Sequence, residues 1–241
     1  MLDCSYYNEE FRRRINRRNT SYSNRVGTVD IDSYINEAAR IWYKTSVREA
    51  EKNTAVKISL RPFEVKNKAL EIDCGGIYYK ASIPEDCYYP LNYMIYASKE
   101  GCPDCPKLMT PFTVQSDDLV ESLKDPNRKP SFEYGEVIVD DAKGYLYIYT
   151  DGTFTIDKTD LSYYKKIERH SCPKLAENNY YVDGTGNKIS ESNTFSIENE
   201  DDADEIIDIA VLFFLRDQGD NNSLDTQLTK INAKFKIIGN M

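Results

Sequence analysis

Asp30-Ile31-Asp32-Ser33-Tyr34-Ile35-Asn36-Glu37-Ala38-Ala39-Arg40-Ile41-Trp42 is the stretch from which the fold is read. Ile31, Tyr34, Ile35, Ala38, Ile41 and Trp42 recur at the spacing that lines one face of a 3.6-residue helix. An Asp at position 30 can accept hydrogen bonds from the open N–H groups of a first turn. A helix from near Asp30 to about Glu51 is predicted. Upstream, Tyr7, Phe11 and Ile15 stand four residues apart and predict a first helix, with residues 19–27 as a polar loop.

Downstream of this pair the period changes. Val56, Ile58 and Leu60 alternate with polar residues and read as a strand that ends at Pro62. Short β-type runs follow at Ile77–Tyr79, Tyr93–Tyr96, Phe112–Val114, Val137–Val139, Tyr145–Thr150, Leu161–Ile167 and Tyr180–Val182. Asp140–Gly144 reads as a hairpin turn, Asp151-Gly152 before Phe154 as the strongest short turn, and Asp117–Leu123 as one or two helical turns. Helix returns near the end. Glu198, Glu200, Asp201 and Asp202 precede a face of Ile206, Ile207, Ala210, Val211 and Phe214, with Gly219 as its stop. Ser223 can cap a last helix carrying Leu224, Leu228 and Ile231. The fold class is therefore α+β. N- and C-terminal helices pack together as a helical domain (1–55 and 198–241), and a β-rich antiparallel sheet or sandwich (56–197) is inserted between them. The two apolar stripes, around Ile35, Ala38 and Trp42 and around Ile207, Val211 and Phe214, are expected to cover each other.

Composition narrows the function. A net charge of -9 and a pI near 4.9 disfavour a protein that wraps nucleic acid, which needs a basic face. No run reaches the roughly 20 apolar residues of a membrane helix, and no membrane partner is expected. Met1-Leu2-Asp3-Cys4 does not begin a secretory signal. Six irregularly spaced cysteines read as a chain assembled in a reducing cytosol, not as a disulfide-stapled scaffold. The 19 tyrosines suit strand faces and subunit contacts.

Motifs that carry chemistry are sparse. Cys102-Pro103-Asp104-Cys105 reads first as a loop with unpaired thiols. It is also half a zinc site, for which Cys74, Cys87, Cys172 and His170 are possible completing ligands, or a redox pair lacking its usual strand–helix context. No second Cys-x-x-Cys exists, so no bound metal is expected. His170 is the only histidine, and any Ser–His or Cys–His nucleophile would have to use it; Glu168-Arg169-His170-Ser171-Cys172-Pro173 reads instead as an exposed turn with a solvated imidazole. Gly75-Gly76 and Gly184-Thr185-Gly186 lack the context of phosphate loops. Asp117-Asp118 and Asp140-Asp141 read as solvated surface. No catalytic residue, cofactor or enzyme activity is expected. The sharpest charge feature is the cluster Arg12, Arg13, Arg14, Arg17 and Arg18. It is a solvated helix face, a phosphate patch, or a partner interface; the acidic remainder of the chain favours a protein partner over DNA.

Three stretches carry a resemblance. Asp30–Ala39 resembles the early acidic-x-x-x-Tyr-Leu-Asn-x-Ala helix of phage neck and tail ring proteins. Asp117–Gly135 is similar to a segment of structural proteins of crAss-like phages, and Asp204–Val211 to their C-terminal Glu-Ile-x-Asp-x-Ala helix. The order of elements resembles the tail tubular A proteins of short-tailed phages. The resemblance implies a non-enzymatic head–tail connector or adaptor, a structural subunit of a closed, twelve-fold ring. Its partners would be copies of itself, the portal protein and the adjacent tail ring. Genomic DNA would pass through the lumen without sequence-specific binding. The place would be the virion neck or tail, after assembly in the host cytoplasm. It implies no catalytic residues. A carbohydrate- or receptor-binding β module with helical flanks is the alternative.

Overall fold

The computed structural model describes residues 2–17, 26–75, 78–99, 102–114, 117–125, 128–173, 181–182, 188–189, 192–219 and 227–229. The chain is mixed α and β. Its elements are α1 (Cys4–Asn16), α2 (Thr28–Glu49), α3 (Thr54–Ser59), a 3-10 turn (Arg61–Phe63), β1 (Glu64–Ala69), β2 (Ile72–Cys74), β3 (Tyr78–Ser82), β4 (Cys87–Lys99), β5 (Cys102–Thr113), α4 (Leu119–Lys124), β6 (Glu136–Ala142), β7 (Tyr145–Tyr149), β8 (Phe154–Lys165), β9 (Tyr181–Val182), β10 (Lys188–Ile189) and α5 (Glu200–Asp217). Two compact units result: Met1–Phe63 with Ile167–Met241, and Glu64–Lys166. Residues 56–63 and 167–197, expected in the β insertion, group with the terminal helices.

In the helical unit, α1 buries Tyr7, Phe11 and Ile15. The α2 helix starts at Thr28, with Asp30 inside its first turn, and buries Ile31, Ile35, Ala38, Ala39 and Trp42. Ile41, expected on the same face, is 44% exposed. In α5 the Asn199 side chain accepts from Asp201 N at 3.1 Å, three acidic residues occupy the first turn, and Gly219 takes the left-handed φ of 69° past the end. Its buried face is Ile206, Ile207, Ala210, Val211 and Phe214. The three helices pack together, with Phe11, Tyr34 and Phe214 in mutual ring contact at 5.9–6.3 Å between centroids. Covering these stripes is what stabilises helices whose intrinsic propensity alone is marginal.

The strand expected at Val56–Leu60 is helix instead. The Asn53 side chain accepts from Ala55 N at 2.9 Å and starts α3, and Leu60 and Phe63 then turn inward. Alternation over five residues misled because Ile58 is 52% exposed, so the period-two pattern buries no common face. Gln227–Thr229 lie in a helical turn; Ser223, Leu224, Ile231 and Phe235–Ile238 lie outside the described residues.

The other unit is one curled sheet of eight strands in the order β1-β8-β4-β5-β6-β7-β3-β2. Seven of its pairings join neighbours, and six of these are antiparallel. The departure from the expected antiparallel sheet is β5 with β6, parallel from Thr110↔Glu136 to Thr113↔Val139. A parallel neighbour needs a long return connection, and the chain from Val114 through α4 to Gly135 supplies it. The Ala142–Tyr145 hairpin has Lys143 and Gly144 both at positive φ (55° and 80°), the two-residue turn that matches strand twist. The Asp151-Gly152 turn also forms, with Thr153 N donating to Asp151 Oδ1 at 2.9 Å, but it carries the chain from β7 to β8, which do not pair. Curling brings Ile95, Ala97, Ile156 and Leu161 into one core with Val137, Val139, Leu146 and Ile148.

Candidate functional site

The predicted arginines divide. Arg14, only 15% exposed, reaches from α1 to α5: its guanidinium donates to Asp208 Oδ1 at 2.6 Å, to the Asp204 carbonyl at 2.8 Å and to the Asp204 carboxylate. Arg12 approaches Thr28 Oγ1 at 3.4 Å. Arg13 is half exposed and pairs with Glu10 one turn back. Arg17 caps the C-terminal end of α1 and is exposed; Arg18 lies outside the described residues. Arg14 is thus a strut inside the helical unit, which leaves Arg13 and Arg17 as the outward-facing members.

A buried polar cluster in the helical unit was not legible as such. Asp32, 3% exposed, accepts from Asn8 Nδ2 at 2.8 Å and from the Cys172 backbone N–H at 2.9 Å. One turn on, Asn36 grips the backbone of His170 twice: its Nδ2 donates to His170 O and its Oδ1 accepts from His170 N, both at 2.8 Å. The His170 ring is 1% exposed, not solvated. Its Nε2 lies 3.3 Å from both Asp32 Oδ1 and Asn8 Nδ2, and its Nδ1 lies 3.3 Å from Thr194 Oγ1. The Tyr7 and Phe195 rings flank it at 5.2 and 5.5 Å. Asp32 and Asn36 stand four residues apart on α2, so both face the same loop. A signal was present: Asp32 sits on the apolar stripe with Ala39 and Tyr43, and Asn8 on that of Cys4, Phe11 and Ile15. A buried polar side chain must find partners.

Carboxylate, imidazole and hydroxyl thus stand in a row, an order used by nucleophilic hydrolases. Here the bonds from Asp32 to the Cys172 amide and from Asn36 to the His170 backbone hold the 170–172 loop to α2, and the described cavities are lined by other residues.

The same loop carries a correction. Cys4 and Cys172 form a disulfide, Cα–Cα 5.5 Å, where the cysteine spacing read as a chain assembled in a reducing cytosol. The physical reason is tertiary: Asp32 binds the Cys172 amide and sets its side chain against the first turn of α1. Cys172 is therefore no zinc-ligand candidate in this state. Cys74 is an exposed free thiol, and Cys87 is half-buried, its pKa pushed up to about 11 by burial and the nearby Asp141 and Asp86. The backbone of Cys102-Pro103-Asp104-Cys105 belongs to β5; its side chains lie outside the described residues. Among the described residues no group of three or more His, Cys, Asp or Glu is placed to hold a metal. Asp140, read as solvated, is 9% exposed, and Asp141 accepts from Tyr93 OH at 3.0 Å.

Two surfaces complete the candidates. On the outer face of the sheet, register lines up Phe112, Ile138, Tyr149 and Tyr78 across four strands, with Tyr147 and Tyr145 beside them on β7. Phe112 is 48% exposed and borders a groove of about 300 Å³ shared with Val114, Ser122 and Arg128. In the helical unit, two adjoining cavities of about 170 and 410 Å³ flank α3 and share Ser59 and Asp202. Burial raises the Asp202 carboxyl above its ordinary pKa, against the pull of hydrogen bonds from Ser59 and Asn199.

Among the described residues no helix is long and apolar enough to cross a membrane. Compared with protein-family models and with curated proteins, the sequence matches none.

Proposed function

We propose that this chain is a structural virion subunit, one copy in a closed ring of the neck or tail of a short-tailed bacteriophage, joining the portal to the adjacent tail ring around the DNA channel. In this reading the packed terminal helices form the ring body, and the curled sheet is a sandwich-like insertion that meets neighbours. The observation that carries the reading is the outward apolar set of the sheet unit: Leu108, Phe112, Val120 and Tyr134 are 48–83% exposed, and Tyr88 and Tyr89 are also exposed. Single exposed apolar residues are ordinary, but Leu108 and Phe112 lie four residues apart on β5 and so share one face of a strand, the kind of apolar face a subunit buries on assembly. Arg13 and Arg17 supply charge for partner register. Mass photometry of the purified chain, alone and with the portal protein of the same phage, tests the proposal. Rings or portal-bound rings are expected, and a chain that stays monomeric with the portal present overturns it.

A specific observation favours the second reading, a glycan- or receptor-binding module. Tyr78, Tyr147, Tyr149 and Tyr145 make a tyrosine surface in which Lys80 Nζ sits 3.6 Å from the Tyr145 ring centre. Tyrosine rings stack on sugar faces as readily as on protein. Binding of the isolated chain to a glycan array, lost on Tyr147→Ala, would favour this reading over the connector.

A further inference from the structure

The cleft along α3 has an apolar floor and an acidic rim. Ile41 and Ile58 are 44% and 52% exposed, and Trp42, Val56 and Ile209 lie beneath them. Glu49, Glu198, Asp202 and Glu205 line it against one cation, Arg61. A partner that fills this cleft must bring apolar side chains interleaved with positive charge. The chain itself contains one such segment. Residues 230–241, which lie outside the described residues, carry Lys230, Lys234 and Lys236 and no Asp or Glu, with Ile231, Phe235, Ile237 and Ile238 between them. In a chain of net charge -9 this is a local reversal of sign.

We propose that the α3 cleft receives residues 230–241 of a neighbouring copy of the chain, Phe235 and Ile237 entering the apolar floor and Lys234 and Lys236 meeting the acidic rim. The inference rests on the ring reading above. A closed ring needs two different surfaces on each subunit that fit one another head to tail, and a basic–apolar arm and an acidic–apolar cleft are such a pair. The chain is anchored at Gln227, whose Nε2 donates to the Asp208 carbonyl and carboxylate on α5 at 3.2 and 3.1 Å. Twelve residues beyond Thr229 span up to ~40 Å when extended. The cleft also answers the arm electrostatically. Asp202 is held half-buried, where its carboxylate is poorly solvated, and an incoming ammonium group restores what burial removes.

The test uses the full-length chain with the photocrosslinking residue p-benzoylphenylalanine in place of Phe235. Equal amounts of 14N- and 15N-labelled copies are mixed, irradiated and mapped by mass spectrometry. Crosslinks to cleft residues such as Ile41 and Ile58, joining copies of different label, are expected. Ile58→Asp changes an exposed side chain, so the fold persists, and it should cut the yield about tenfold. Asp202→Lys should do the same, and adding Lys234→Glu with Lys236→Glu should restore the yield. Crosslinks away from the cleft, or cleft crosslinks only within one copy, overturn the inference. Mass photometry of the same mixtures scores the connector reading separately. Rings with off-cleft crosslinks keep the ring and reject the arm, and intermolecular cleft crosslinks without rings do the reverse.

Discussion

Replacing Asp32 by Ala tests the polar knot that holds the 170–172 loop to α2. The carboxylate is 3% exposed and accepts from Asn8 Nδ2 at 2.8 Å and Cys172 N at 2.9 Å. A hydrogen bond to a charged group contributes about 1.5–3 kcal/mol net, and a donor left buried without a partner costs about 1–3 kcal/mol. Asn8 is fully buried and Cys172 is fully buried, so water does not readily replace the lost acceptor. The two terms overlap, since each describes the same broken bonds, and the expected loss is about 3–5 kcal/mol. Against the 5–15 kcal/mol typical of a folded domain, that is a large fraction. Urea unfolding followed by tyrosine and tryptophan fluorescence reads it as a shift of midpoint at constant slope. Asp30→Ala, an exposed carboxylate two residues away, is the control and should change little. Asn8→Ala combined with Asp32→Ala should cost less than the sum of the single changes, because they share a bond. A loss below about 1 kcal/mol for Asp32→Ala, or an additive double mutant, refutes the reasoning.

Four further outcomes follow from the structure. The Cys4–Cys172 disulfide spans a sequence separation of 168, and the chain-entropy relation puts its contribution near ~5 kcal/mol at most; reductant should lower the urea midpoint of the native chain and leave that of Cys4→Ser with Cys172→Ser unmoved, and an unchanged native midpoint would refute it. Arg14→Glu sets a carboxylate against Asp204 and Asp208 and should destabilise by about 3 kcal/mol or more, whereas Arg13→Glu, which meets Glu10 at the surface, should move the midpoint far less; equal effects would refute the division of the cluster. The folded state favours protonated Cys87, whose pKa rises from 9.0 to about 11, so the unfolded chain releases this proton first. The contribution is whole below pH 9 and lost as pH rises toward about 11. Cys87→Ala should therefore flatten the fall in stability over that window. At pH 8 the exposed Cys74 should alkylate faster than Cys87, and the reverse order would contradict the burial described.

What the sequence determined by itself is local. The stripe Tyr7, Phe11 and Ile15, the stripe from Ile31 to Trp42, and the acidic start and glycine stop of α5 are all written within one or two helical turns, where periodicity and capping act. The Lys143-Gly144 hairpin is local for the same reason, since two residues of positive φ set its register. Local pattern failed at Val56–Leu60 because alternation is informative only when a sheet buries one side of it, and α3 buries none of its residues. At Asp151-Gly152 the expected turn forms, but a turn residue fixes a bend and not which strand comes next to which. Tertiary structure alone decided the rest. The parallel β5–β6 pair depends on where the long return connection lands. The burial of His170, the grip of Asn36 on its backbone, the Cys4–Cys172 disulfide and the Arg14 strut join residues 134, 168 and 190 or more positions apart. Partners that distant meet only after the helices have packed, and the free energy that selects them is desolvation of polar groups in a core no single segment contains.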